Sequence, residues 1–144
     1  MKNDNTISII GRIREAANSI IVDELSKRGH KGLAPSHGDI LATLIMKGEM
    51  TKTEIAEEIR RERSTVTTLI GKLEKLGYIY SKSNEVDGRS KIVCLTDKGL
   101  AMKNDIFEIS NQIYNIQYQG MSEEEILIFR KGLMKVRDNF LGGK

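Results

Sequence analysis

Residues 50–79 read MTKTEIAEEIRRERSTVTTLIGKLEKLGYI. Thr51 and Glu54 have the spacing of a capping box, in which each side chain satisfies a backbone N–H that a first helical turn leaves unpaired. A short helix is expected from there, with Ile55, Ala56 and Ile59 turned inward. The polar run RRER at 60–63 is expected to be the turn. A second helix is expected from about Ser64 to Leu76, carrying Val66, Leu69, Ile70, Leu73 and Leu76 on one stripe at three- and four-residue steps. Gly77 stands where a left-handed C-terminal residue belongs, and Tyr78-Ile79-Tyr80 starts a strand.

Downstream lies EVDGRSKIVCLTDKG, residues 85–99. A strand at 78–83, a loop at 84–90 and a strand at 91–95 form a two-stranded ribbon. Asp87-Gly88 is a hairpin signal, because Gly accepts positive φ at no steric cost. A lone hairpin is only marginally stable, so the ribbon must pack on the helices before it. Thr96 is expected to cap a long helix through about Tyr118, which Gly120 breaks. Ser122 with Glu125 boxes a last helix, in which Ile126, Phe129, Leu133, Val136 and Phe140 recur at helical spacing. Upstream, residues 7–28 place Ile7, Ile10, Ile13, Ala17, Ile20 and Ile21 on one amphipathic face. The breaker-rich RGHKGLAPSHGD (28–39) connects it to a helix that Ser36 caps and that ends at Lys47, with Ile40, Leu41, Leu44 and Ile45 inward. Met46, Met50, Met102 and Met121 are read as core filler.

The chain has 144 residues, 39% hydrophobic and 30% charged, the balance of one soluble domain with a real core. No apolar run approaches the ~20 residues that span a bilayer. MKNDNTISII mixes both charge signs and lacks a long apolar stretch, so no signal peptide is expected. The single cysteine, Cys94, excludes an internal disulfide and fits a reducing cytoplasm. The net charge is +3, but residues 60–91 hold eight Lys/Arg against four Asp/Glu, a local +4 that leaves −1 elsewhere. No Ser-His-Asp set, paired-carboxylate site or glycine-rich phosphate loop stands out, so no enzyme is expected, and no cofactor.

Helix, turn, helix, ribbon is a winged helix-turn-helix order, giving a mainly α fold with a small β-wing (α+β). Opposite the apolar stripe of the second helix lie Ser64, Thr68, Gly71, Lys72 and Lys75, with Thr65 and Thr67 on the flanks. A solvated face usually carries long charged pairs; this one opens with short hydroxyls and ends in lysines. Ser and Thr bond phosphates or base edges, the Thr methyl touches thymine, and lysines neutralise phosphate, which suits the DNA major groove. The bland alternative is a merely solvated face built from poor helix formers. At the ribbon tip, Arg89 beside Gly88 can reach a narrow, electronegative minor groove. Asp87 has the wrong sign for DNA and is read as orienting Arg89 or capping the turn, against the plainer alternative of an ordinary exposed loop pair.

Asp87-x-Arg89 followed by Val93-x-Leu95-Thr96-x-x-Gly99 resembles the wing signature of the MarR (multiple-antibiotic-resistance regulator) family of bacterial transcription factors. STVTTLIGKLEKLGYI (64–79) resembles that family's recognition helix running into the wing, and the likeness extends over the whole chain. The resemblance implies an obligate homodimer. Residues 1–34 and 97–144 would form a shared dimerisation base and residues 35–96 the DNA-binding region. The two terminal apolar stripes point the same way, since a winged region of about 60 residues cannot bury both; closure of these helices over their own monomer is the alternative. The implied function is a repressor that binds a pseudo-palindromic double-stranded operator and is released by a small-molecule effector. Arg63, Ser64, Thr65, Thr67, Thr68 and Lys72 would contact DNA from the helix, and Asp87, Gly88 and Arg89 from the wing. The other reading is a winged-helix protein–protein module. His37 is read as a turn or capping residue, with a share in an effector pocket as its functional alternative. No metal site is expected, because the zinc-sensing branch uses a His pair in the closing helices and neither His30 nor His37 lies there. Cys94 is read as structural, because the peroxide-sensing branch carries its reactive cysteine near the start of the chain.

Overall fold

The computed structural model describes residues 4–142, so the readings that touch residues 1–3 and 143–144, including the first residues of MKNDNTISII, lie outside them. The elements are α1 (Thr6–Lys27), α2 (Pro35–Lys47), β1 (Met50–Thr51), α3 (Lys52–Ile59), α4 (Arg63–Lys75), β2 (Ile79–Ser83), β3 (Lys91–Leu95), α5 (Asp97–Leu100), α6 (Lys103–Gln117) and α7 (Glu123–Phe140). They fall into two compact units, Met1–Ser110 and Asn111–Lys144.

In the first unit the helix-turn-helix and the ribbon form as read. Thr51 Oγ1 accepts from Glu54 N at 3.2 Å and Glu54 Oε1 accepts from Thr51 N at 3.0 Å, which closes the capping box and starts α3. Gly77 takes φ +85° after α4, where a Cβ would be strained. The sheet is antiparallel in the order β1-β3-β2, with Tyr80 opposite Cys94 and Ser81 opposite Val93. The two-residue β1, pairing Met50 with Val93, has no counterpart in the sequence pattern, because a strand that short carries no periodicity. Ile40, Leu41, Ile55, Val66, Ile70, Leu73, Val93 and Met102 are essentially sealed from solvent and tie α2, α3, α4, the sheet and the segment after α5 into one core.

Several expectations are corrected. Pro35, not Ser36, opens α2: its missing N–H is one that a first turn leaves unpaired anyway. Ser36 instead accepts a hydrogen bond from the Arg61 guanidinium at 3.4 Å. Thr96 caps only the one-turn α5, through Gly99 N at 3.2 Å, and the helix restarts at Lys103. Gly88 does not take positive φ, because a seven-residue loop does not need the primed turn of a two-residue hairpin. Met46 is 82% exposed rather than core filler, whereas Met50 and Met102 are buried. Leu76 is exposed at the end of its stripe.

In the second unit, Ser122 and Glu125 form the expected capping box at the start of α7. Tyr114 and Tyr118 meet edge to face at 5.1 Å, and Arg130 donates to the Tyr118 hydroxyl at 3.3 Å. No residue of α7 is buried in the single chain: Phe129, Leu133 and Phe140 all stand exposed. In α1 only Leu25 is buried, and Ile7, Ile10 and Ile13 are exposed.

Candidate nucleic-acid interface

With Val66, Ile70 and Leu73 buried, helical periodicity turns Ser64, Thr65, Thr67, Thr68, Gly71, Lys72 and Lys75 outward, and all seven are exposed. Thr67 and Thr68 donate their hydroxyls to the carbonyls of Arg63 and Ser64, at 3.0 and 3.2 Å. Each therefore shows the outside its methyl and an oxygen lone pair. In that rotamer a threonine can touch a thymine methyl or accept from a base amino group, while bonding a phosphate requires the hydroxyl to leave its carbonyl.

Lys72 is less free than its exposure suggests. Its Nζ donates to Gly32 O at 2.6 Å, which ties the outer face of α4 to the connection between α1 and α2. His37 is 5% exposed, and its Nδ1 accepts from Ala34 N at 2.9 Å, the capping role of the plainer reading. Burial, and secondarily the nearby Lys72 ammonium, holds its pKa below the ordinary histidine value.

The wing tip is framed by two side-chain turns. Asn84 Oδ1 accepts from Val86 N at 3.1 Å, and Asp87 Oδ1 accepts from Arg89 N at 3.0 Å. Asp87 thus caps the turn; among the described residues it makes no ion pair with the Arg89 guanidinium. Arg89 is exposed, and Val86 beside it is 98% exposed.

Arg63, Asp87 and Arg89 share one cleft of about 490 Å³ with Lys52 and Thr53 of α3 and Lys91 of β3. Four cations face one carboxylate, and one oxygen of that carboxylate is already engaged by Arg89 N–H. The first turn of α3, whose positive dipole end lies here, adds to the same potential. The cleft therefore favours an anion, and its position between α3, α4 and wing suits a phosphodiester strand. Sequence reasoning missed Lys52, Thr53 and Lys91. Their signal was available: the residues just after a helix cap and the first residue after the wing loop both border a wing.

Behind the interface, Tyr78 anchors the end of α4. Its hydroxyl lies 2.8 Å from His30 Nδ1, and His30 Nε2 lies 3.0 Å from Asp105 Oδ2. An ionised carboxylate only accepts, so in the neutral ring Nε2 carries the proton and Nδ1 accepts from the tyrosine. The same histidine, followed by Arg28, holds the Asp105 pKa below the usual carboxylate value. Lys98 sits 4.4 Å above the Tyr78 ring and donates to Leu76 O at 2.8 Å. Cys94 is 4% exposed and donates to Glu49 Oε2 at 3.3 Å; burial, and after it that carboxylate, pushes its pKa up.

The fold and this site define a winged helix-turn-helix protein. Residues 31–90 match the family model described as MarR family. The regulator MhqR of Bacillus subtilis is 29% identical over 117 residues, 81% of either chain. A MarR protein of Peptoclostridium difficile superposes with TM-score 0.85 at 24% identity, covering 97% of this chain and 90% of that one. A MarR-family transcriptional regulator of Listeria monocytogenes, solved with a 26mer DNA, superposes with TM-score 0.80 at 25% identity, covering 96% and 89%. Over residues 31–90 the chain is similar to the MarR family, and its fold is that of MarR proteins. Its wing motif now has a physical reading: a Cβ on Gly99 would stand 2.1 Å from Tyr78 O, so only glycine lets α5 lie against the start of β2.

Proposed function

We propose that this protein is a sequence-specific, double-stranded-DNA-binding transcriptional repressor that works in the cytoplasm as a homodimer on an inverted repeat. The observation that carries the reading is the shared cleft: Arg63 at the start of α4 and Arg89 of the wing border one cationic space beside an exposed face of short hydroxyls. Arg63, Ser64, Thr65, Thr67, Thr68 and Lys72 read the major groove and its phosphates, and Asp87, Gly88 and Arg89 present the wing to the minor groove. The DNA complex of the Listeria relative supports the same assignment by analogy. The exposed apolar faces of α1 and α7 support the dimer, with residues 1–34 and 97–144 as its base and 35–96 as the DNA-binding region. Release by a small-molecule effector fits the family, and His37 borders the α1–α2 connection to which Lys72 is tied.

An electrophoretic shift with the protein's own upstream DNA, run against excess non-specific competitor, tests this. A discrete complex that survives the competitor supports it. No complex, or one the competitor abolishes in proportion to its mass, favours the docking-module reading.

A further inference from the structure

Seven of the described residues take positive φ; six are glycines and the seventh is Arg60, at φ 56° and ψ 50°. A side chain in the left-handed region is strained by its Cβ, and glycine relieves that strain. This chain uses glycine at every other such position, and turns of this helix-turn-helix kind often contain one. Arginine is kept here at a cost in stability.

Nothing among the described residues explains the choice. Arg60 is exposed and makes no ion pair among the described residues, although Glu57 and Glu62 flank it. Its backbone N–H closes α3 on Ala56 O, a bond that glycine would make equally well. The neighbouring arginines are placed otherwise: Arg61 is turned back to Ser36, and Arg63 borders the wing cleft. Strain retained without internal compensation points to a function outside the fold.

We infer that Arg60 is a DNA-contacting residue whose guanidinium takes a backbone phosphate beside the entry of α4 into the groove. The inference rests on the DNA-binding reading above and adds a contact to it. Arg60 lies two residues before Glu62, the N-cap of α4, so a long side chain projecting from the turn flanks the end of the helix that enters the groove first. A planar fork of donors suits a phosphate oxygen pair, and a phosphate contact carries no sequence information.

The test compares Arg60→Gly, Arg60→Asn and Arg60→Lys in the full chain, with Arg89→Ala as reference. The probes are an upstream duplex and a scrambled duplex, each titrated over a salt series. Arg60→Gly should raise Tm by a few degrees while weakening both duplexes by about tenfold per contact. The slope of log K against log salt should become shallower by ~0.9 per lost contact, hence by nearly two for a dimer. Arg60→Asn, which tolerates the same backbone, should match the binding loss, and Arg60→Lys should keep most of the salt slope. Opposite movement of stability and affinity is what a merely structural residue cannot produce. Unchanged affinity and slope in Arg60→Gly, with Arg89→Ala impaired, overturns the inference and leaves the DNA-binding reading standing. Failure of the unsubstituted protein to bind either duplex overturns both.

Discussion

Gly99→Ala should be among the most damaging single-methyl changes in this protein. A Cβ at position 99 would lie 2.1 Å from Tyr78 O, 3.0 Å from Leu95 Cδ2 and 3.1 Å from Tyr78 C. Two of these atoms are backbone and cannot rotate away, so α5 and the start of β2 must separate by about 1 Å. That separation strains the Thr96 N–H bond to Tyr78 O, now 3.1 Å. Overpacking typically costs ~1–3 kcal/mol. Loss of a backbone hydrogen bond adds about 0.5–1.5 kcal/mol. The expected destabilisation is therefore about 2–4 kcal/mol, or ~1–2 M in urea midpoint for an m-value near 2 kcal/mol/M. Equilibrium unfolding followed by circular dichroism at fixed protomer concentration reads it, the fixed concentration holding any self-association constant. Gly71→Ala is the control: it lies in α4 with nothing within 4 Å of its Cβ, so it should stabilise by ~0.5–1 kcal/mol. A Gly99→Ala protein within about 0.5 kcal/mol of the parent would refute the packing argument, because an overlap of this size cannot be absorbed without cost.

Three further outcomes follow from the interface. Arg89→Ala should weaken DNA binding, most at sites with A·T-rich flanks, and make the salt slope shallower, whereas Asp87→Asn should leave binding intact because an amide oxygen still accepts from Arg89 N–H; a binding defect in Asp87→Asn equal to that of Arg89→Ala would show that the carboxylate acts through its charge. Thr68→Ala should alter base preference at one position in a selection experiment, while Lys72→Ala should weaken all duplexes alike and also loosen the α1–α2 connection it holds through Gly32 O, seen as faster amide exchange at residues 30–33. His37 has a folded-state pKa below its unfolded value, so the unfolded chain takes up the proton first and stability falls as pH drops through and below about 6.5; His37→Gln, which keeps an acceptor for Ala34 N–H, should flatten that part of the stability curve, and an unchanged curve would contradict it.

The helix-turn-helix and the wing were legible because their signals are local. The Thr51–Glu54 box, the stripe from Val66 to Leu73 and Gly77 each act within a few residues, and each appears where it was read. The last capping box, Ser122–Glu125, is equally local. What was not legible depends on partners distant in sequence. Thr96 reads as the cap of a long helix, but the chain bends after Leu100 where Gly99 packs on Tyr78 and Met102 enters the core. β1 exists only because Met50 meets Val93. The exposed face of α4 was readable from periodicity, but the attachment of Lys72 to Gly32 and the meeting of Lys52 with the wing were not. The Asp87 alternatives divide on a single geometric fact, its bond to the backbone N–H of Arg89 in place of the guanidinium.

Two copies of this chain are expected to grip one duplex by sequence. Fluorescence anisotropy of a labelled duplex from the chain's own upstream region, titrated beside a scrambled duplex of equal length at ~150 mM salt, addresses it directly, because salt at that level screens much of the non-specific attraction. Saturation is expected at two chains per duplex, with a preference for the upstream sequence of about 10³-fold or more, in the range of specific DNA-binding proteins. Equal affinity for both duplexes, saturation at one chain per duplex, or no binding at concentrations where the chain is folded would contradict it.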